Sequence, residues 1–231
     1  MPKLEIDHIV LAVPNLNDAI KYFKEQLNVT PFMGGKHVGQ GTHNALLGLG
    51  DPSQKLYLEL LAIDPEDHST YETYPMGITK NLSSPYLSSW CLRCTNRDIE
   101  SINEEMKKIS EEFQHGEVRK MQRKTTSGEI LSWKIAINHE TILVSKGQIP
   151  FLIQWDNLAD HPTTRLSHNN FCNYNLVFYN KQARQLEGNL KKLGLELPQH
   201  IDFFDSNQCD SRLEISYKGH STIFSHYGNT A

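Results

Sequence analysis

Residues 6–13 of the chain read IDHIVLAV, and residues 56–63 read LYLELLAI. The first stretch is rich in apolar and β-branched residues and predicts a buried strand that ends before Pro14. Residues 16–27 have apolar side chains at helical spacing, and Asn15 or Asn17 can cap that helix. A loop or short strand, a strand over 45–49 and a strand over 55–63 follow. The order predicts a βαβββ unit.

The same order of elements recurs twice more along the chain. The predicted modules are residues 1–66, 88–158 and 168–231, and they share pattern far more than identity. We predict an α+β fold in which repeated βαβββ modules form a half-barrel, all in one compact unit. The concave inside of that barrel is a natural pocket. The third module either packs as an extra lobe or replaces the second in the pairing.

Composition excludes several classes of protein. The chain has 23 basic and 27 acidic residues, so the phosphate-neutralising excess of a charge-driven nucleic-acid binder is missing. The start of the chain lacks a secretory h-region, and the longest apolar run is too short to cross a membrane. Cys91 and Cys94 form a C-x-x-C that is a redox pair, half of a zinc site or two ordinary strand cysteines. We expect a cytoplasmic protein without membrane or nucleic-acid partners.

Several stretches resemble one known family. DHIVLAVPNL (7–16), GGKHVGQGTHNALLGL (34–49) and KLYLELLAIDP (55–65) resemble the vicinal oxygen chelate superfamily, in its glyoxalase-like domain branch, and FLIQWDNLADHP (151–162) fits the same branch. The resemblance implies the glyoxalase/bleomycin resistance/dihydroxybiphenyl dioxygenase fold and a small-molecule ligand that bears a carbonyl or a diol. It also implies a homodimer and a divalent metal (Zn²⁺, Ni²⁺, Mn²⁺ or Fe²⁺) on the first and last strands, here at His8 and Glu59.

The residues themselves support half of such a metal site. Side chains alternate along a strand, so Tyr57 and Glu59 share one face, and a buried Glu59 requires a partner such as His8. The second module offers Ser88, Ser89 or Trp90 at the position of His8 and Gln154 at the position of Glu59. A triad of two histidines and one carboxylate is not visible, which disfavours extradiol dioxygenase chemistry. Metal-dependent and metal-free sites both stay open.

The glycine-rich stretch 34–44 reads GGKHVGQGTHN. It matches neither the dinucleotide-binding fingerprint nor a P-loop, because no helix follows it. Its polar side chains favour a pocket wall over a plain turn, and either histidine in it could act as an acid or base near neutral pH. These side chains are His37, Thr42, His43 and Asn44.

The working hypothesis is a lyase or isomerase of the glyoxalase type. We expect Glu59 and His37 to be catalytic and His8 and Glu59 to bind the metal. Three alternatives remain: a metal-free binding protein that sequesters a drug or metabolite, a metal-free enzyme with His37 or His43 as base, and a scaffold for interactions. The expected substrate-binding residues are His37, Thr42, His43, Asn44, Tyr57, Gln154, Trp155 and His161.

Overall fold

The structure, a computed structural model, describes residues 4–167 and 171–226. The parts of the predicted modules at 1–3, 168–170 and 227–231 lie outside the described residues. Within the first predicted module the elements are β1 (Leu4–Ala12), α1 (Leu16–Leu27), β2 (Phe32–His37), β3 (Thr42–Leu49) and β4 (Leu56–Ile63). Within the second they are β5 (Tyr86–Cys94), α2 (Ile99–Ile109), β6 (Val118–Thr125), β7 (Ile130–Ala136), α3 (His139–Val144) and β8 (Phe151–Trp155). The remaining elements are β9 (Phe171–Asn180), α4 (Ala183–Lys192), β10 (Ile201–Asp205), β11 (Asp210–Tyr217) and β12 (His220–Ser225).

Eight strands form a barrel, which confirms the predicted α+β fold class. The ring runs β1, β4, β3, β2, β6, β7, β8, β5 and back to β1, so the first two predicted modules face each other. β1 is parallel to β4 and antiparallel to β5. The pairing of β2 with β6 closes the edge that a half-barrel would leave open.

Gly35 permits that closure. It has a φ of +145°, and an added Cβ would lie 2.0 Å from the backbone oxygen of Lys124 on β6. Any side chain at this position would therefore push the two strands apart. One of the two adjacent glycines in the sequence is explained by this approach.

The helices cover the outside of the barrel. α1 begins after Asn15, whose side-chain oxygen accepts hydrogen bonds from the backbone of Asn17 and Asp18 at 2.9 and 3.1 Å. The apolar face of α1 packs into the main core outside the barrel. The buried residues of α1 are Leu16, Ala19, Phe23 and Leu27.

The strands from β9 onward form an added lobe at the edge of β3. Gly48 and Leu49 pair in parallel with Phe171 and Cys172. The order β12, β11, β9, β10 differs from the order β1, β4, β3, β2, although the elements follow one another in the same way along the chain. The barrel is thus complete within β1–β8.

The described residues contain no helix long and apolar enough to cross a membrane. All four cysteines are free. Cys91 and Cys94 both lie in β5 rather than at a helix N-terminus. Burial raises the pKa of the Cys94 thiol to about 12 and that of Cys91 well above its usual value, which disfavours a reactive thiolate.

Candidate functional site

The inside of the barrel is a cavity in which a water-sized sphere has about 70 Å³ to move, and the cavity is partly open to solvent. One wall is polar and comes from β1–β4. The opposite wall comes from β6–β8 and is largely apolar, so the chain supplies both walls. The polar wall consists of His8, His37, Thr42, Asn44, Tyr57 and Glu59. The apolar wall includes Met121, Trp133, Ile135, Phe151, Ile153 and Trp155.

Glu59 lies at the centre of the polar wall and is 6% exposed. Its Oε1 accepts a hydrogen bond from Asn44 Nδ2 at 2.5 Å. Its Oε2 lies 3.6 Å from His8 Nε2, and its Oε1 lies 3.6 Å from His37 Nε2. A carboxylate therefore faces the cavity between two imidazoles, with one amide holding it in place.

His8 is oriented from behind by Asp7. The Nδ1 of His8 lies 2.7 Å from Asp7 Oδ1, and a carboxylate only accepts, so Nδ1–H is the donor. In the neutral ring, Nε2 then presents its lone pair to the cavity and to Glu59. The ring also stacks on Tyr57, with centroids 4.8 Å apart.

Asp7 is the centre of a buried network that the sequence reading missed. It is fully buried, and its Oδ2 accepts from Arg93 NH1, Trp155 Nε1 and His161 Nε2, each at 3.1 Å. Burial alone would raise the pKa of Asp7, but His161 and His8 lower it well below its usual value. A register shift between Ile6 and His8 marks a β-bulge. In a regular strand Asp7 and His8 would point to opposite faces, and the bulge lets their side chains form a hydrogen bond.

His161 does not line the cavity, and the prediction that it contacts substrate is corrected accordingly. Its Nδ1 accepts from the backbone N–H of Thr163 at 3.3 Å, so Nε2 carries the proton donated to Asp7. Burial lowers the pKa of His161. Its place is behind the site, where it anchors Asp7.

His37 has partners on both ring nitrogens. Nδ1 lies 2.9 Å from Thr42 Oγ1, and Nε2 lies 3.3 Å from Asn44 Nδ2, which can only donate. Burial lowers the pKa of His37 to about 4, although Glu59 acts in the opposite direction. The ring is therefore neutral at neutral pH and positions Asn44.

Arg123 lines the cavity and, like Asp7, was not predicted from the sequence as part of the site. It is 3% exposed, and its NH1 donates to Asn44 Oδ1 at 2.8 Å. An added Cβ on Gly34 would lie 2.1 Å from that oxygen and 2.5 Å from that nitrogen. Gly34 thus makes room for the polar pair, which accounts for the other of the two adjacent glycines. No local motif in β6 singles out Arg123.

Two predicted substrate-binding residues lie elsewhere. His43 follows Thr42 on β3, so its side chain leaves the barrel and lines a separate groove with Lys36 and Lys124. Gln154 is on the outer face of β8, where it donates to the backbone oxygen of Arg97 at 3.1 Å. Strand alternation sends both side chains away from the cavity. Tyr57, Trp155, Thr42 and Asn44 do line it.

The residues present do not fit a divalent metal with three or four protein ligands. His8 Nε2 and Glu59 Oε2 could supply two donors, but the residue paired with His8 on β5 is Cys91, whose thiol is kept protonated by burial. The cavity side of β8 is Phe151, Ile153 and Trp155. Across residues 4–167 and 171–226, no three His, Cys, Asp or Glu side chains converge in the geometry of a metal site.

Comparison with known proteins gives a family and a fold. The sequence model of the glyoxalase-like domain matches residues 6–209. A hypothetical protein from Staphylococcus aureus has 20% identity and a TM-score of 0.53, over 96% of this chain and 85% of that chain. Methylmalonyl-CoA epimerase from Mycobacterium tuberculosis has 16% identity and a TM-score of 0.39, over 65% of this chain and 86% of that chain. No curated protein matches significantly. The Staphylococcus likeness is one of fold alone.

Proposed function

The chain belongs to the glyoxalase-like domain family, and we propose that its barrel binds a small carbonyl compound and moves a proton at the carbon beside the carbonyl. One observation carries the proposal. The Glu59 carboxylate faces the cavity, 3.6 Å from each of two imidazoles and largely shielded from water. A carboxylate that is largely shielded from water and faces a cavity is suited to general base catalysis. The reaction class is an isomerase or a lyase.

In the proposed reaction, Glu59 removes the proton. Its Oε2 takes the proton from the carbon next to the carbonyl, and the electron pair of the C–H bond passes into an enolate. The His8 ring stands beside this oxygen, with Nε2 at 3.6 Å. Asp7 holds His8 so that Nε2 can accept a proton from Glu59 or share one with it. Delivery of this proton from the pair to the enolate oxygen gives the enol and completes a keto–enol isomerisation.

Tyr57 is suited to stabilise the enolate oxygen. Its ring lines the cavity, and its hydroxyl has no hydrogen-bond partner among the residues that the structure describes. Burial, together with the charges of Asp7 and Glu59, raises the pKa of Tyr57 well above its usual value. The phenol therefore keeps its proton at neutral pH and can donate it to a developing oxyanion.

The proposal assigns no step to a metal, because the donor set does not fit one. A small molecule is the proposed partner, and no second copy of the chain is needed to complete the cavity. We also propose a cytoplasmic location, since all four cysteines are free and three are buried, as in a reducing compartment.

Solvent deuterium exchange tests the function. Purified protein is incubated in D₂O with a panel of small ketones, aldehydes and oxo acids, and loss of the proton signal beside the carbonyl is followed by NMR. We expect exchange with at least one compound and a loss of about 10²- to 10⁴-fold in Glu59→Gln. Gln retains an oxygen that can accept from Asn44, so a thermal melt should show that the variant folds.

His43→Gln is the matched control, because that histidine lines a separate groove and should leave exchange unchanged. Equal exchange in Glu59→Gln and wild type would contradict the proposal. Tight binding of a panel compound without any exchange would favour the alternative, a protein of this fold that sequesters a small molecule.

A further inference from the structure

We infer that the ligand of the barrel carries a carboxylate and that Arg123 binds it. The inference rests on the proposed function for the site and goes further by naming the substrate class. It starts from one side chain that lines the cavity and is almost completely buried.

Arg123 is a buried charge with an incomplete set of partners. The only hydrogen bond from its side chain to the residues described here runs from NH1 to Asn44 Oδ1, and its Nε is buried without any acceptor. A guanidinium has five N–H donors. None of the described carboxylates forms an ion pair with it. A buried charge without a counterion is costly, so an anion in the cavity would compensate it.

The nearby carboxylates are already used. Asp7 is paired with Arg93 through a 3.1 Å contact. Glu59 attracts Arg123 but is separated from it by the amide of Asn44, which bridges the two. Burial lowers the pKa of Arg123, and Arg165 adds further positive charge nearby. The guanidinium of Arg123 therefore lacks a negatively charged partner among the described residues, and a bound anion would supply one.

The geometry favours a compact oxo acid. A single guanidinium with free N–H groups matches the two oxygens of a carboxylate. Only one amide separates the Arg123 and Glu59 side chains, so the carboxylate and the proton to be removed must be a few atoms apart. Arg119 is on the same side of β6, is exposed and lines the cavity, where it can attract an anion from solvent. These features fit 2-oxo and 3-oxo monocarboxylic acids.

The NMR signal of the Arg123 Nε–H group reports directly on whether an anion binds beside the guanidinium. Two-dimensional ¹H–¹⁵N spectra of the full chain are recorded with 2-oxobutanoate, with acetoacetate and with the amide of each, and the signal is assigned from its absence in Arg123→Lys. We expect both acids to shift this signal. We also expect each amide to bind at least roughly tenfold more weakly, because it leaves the guanidinium unpaired. Arg123→Lys keeps the charge but should lose most of this preference.

The outcomes separate this inference from the proposed function. Glu59→Gln should lower deuterium exchange by the same ~10²- to 10⁴-fold yet keep the shift of the Nε–H signal and the preference for acids. Equal binding of acids and amides, or no shift at the highest soluble concentration, would overturn the inference even if exchange persists. A larger shift with inorganic phosphate than with any oxo acid would also overturn it and point to a phosphate ligand.

Discussion

His161 Nε2 lies 3.1 Å from Asp7 Oδ2, although the two residues are 154 positions apart in the chain. This hydrogen bond connects the segment after β8 to β1, behind the polar wall of the cavity. Asp7 in turn binds the Nδ1–H of His8. The orientation of a proposed catalytic imidazole therefore depends on a residue that never reaches the cavity.

Replacing Asp7 by Asn should destabilise the protein by ~3–5 kcal/mol, because Arg93 would lose its buried counterion and keep only the partly exposed carboxylate of Glu5. Chemical denaturation at neutral pH measures this change. Glu5→Gln is the matched control: Glu5 also binds Arg93, at 2.6 Å, but its side chain is 35% exposed, so a loss below about 1 kcal/mol is expected. Equal losses in the two variants would contradict the central role of Asp7.

The same comparison has a defined pH dependence. The pKa of Asp7 is lower in the folded protein than its usual value of 3.8. Its stabilisation is therefore present above pH 3.8 and is lost as the pH falls below that value. The stabilities of wild type and Asp7→Asn should converge in acid.

Gly34→Ala should disturb the cavity through a side-chain clash, because alanine can adopt the backbone conformation of Gly34. The new Cβ would lie 2.1 Å from Asn44 Oδ1, so the pair of Asn44 and Arg123 must separate or β2 must shift. We expect a loss of stability of about 1–3 kcal/mol and weaker ligand binding, measured by thermal melts and titration. Gly188→Ala in α4 is the control, since nothing lies within 4 Å of its Cβ and alanine favours the helix. Undiminished ligand binding in Gly34→Ala would argue against this part of the site.

Buried histidines should make the protein less stable in mild acid. Burial lowers the pKa values of His37 and His115 to about 4 from a usual 6.5. The unfolded chain takes up these protons below pH 6.5 and the folded chain only near pH 4, so stability falls across that window. Each group contributes a slope of up to about 1.4 kcal/mol per pH unit.

The effect of a buried histidine on stability can be measured at His115 without disturbing the cavity. His115 does not line the cavity, and its Nε2 donates to the backbone oxygen of Pro150 at 2.5 Å. His115→Gln should reduce the slope by about one proton, measured by denaturation at several pH values between 4 and 7. His220→Gln, at an exposed position, should leave it unchanged. An unaltered slope in His115→Gln would contradict the assignment.

Removal of metal should change nothing. His8 and Glu59 supply two donors, the Nε2 of His37 already accepts from Asn44, and β8 presents only Phe151, Ile153 and Trp155 to the cavity. We expect the melting temperature and deuterium exchange to be the same before and after EDTA treatment. Elemental analysis of untagged protein, beside a His8→Ala/Glu59→Ala double variant, is the check. Near-stoichiometric zinc, nickel, manganese or iron that disappears in the double variant would contradict this expectation and show that His8 and Glu59 bind a metal.

The barrel and part of its polar wall follow from local sequence patterns. Alternation along a strand places Tyr57 and Glu59 on one face, and the same rule places Thr42 and Asn44 together. That rule needs only neighbouring residues, so it works on the sequence alone. That His8 and Glu59 would meet was implied by the resemblance to the vicinal oxygen chelate superfamily, and the two side chains do lie 3.6 Å apart.

The rest of the site depends on contacts between distant strands. His43 was expected in the cavity as a polar residue of the glycine-rich stretch, and Gln154 because it matches the position of Glu59 in the first module, whereas the folded register turns both outward. Arg123 enters only because β6 closes against β2. Asp7 becomes a hub because a bulge and a segment far along the chain meet at one carboxylate. The sequence by itself determined the fold class and the residues of one cavity wall. The tertiary structure decided that Arg123 brings a charge into the cavity and that Asp7 holds His8 from behind. The physical reason is that the register between distant strands is not encoded in any single strand.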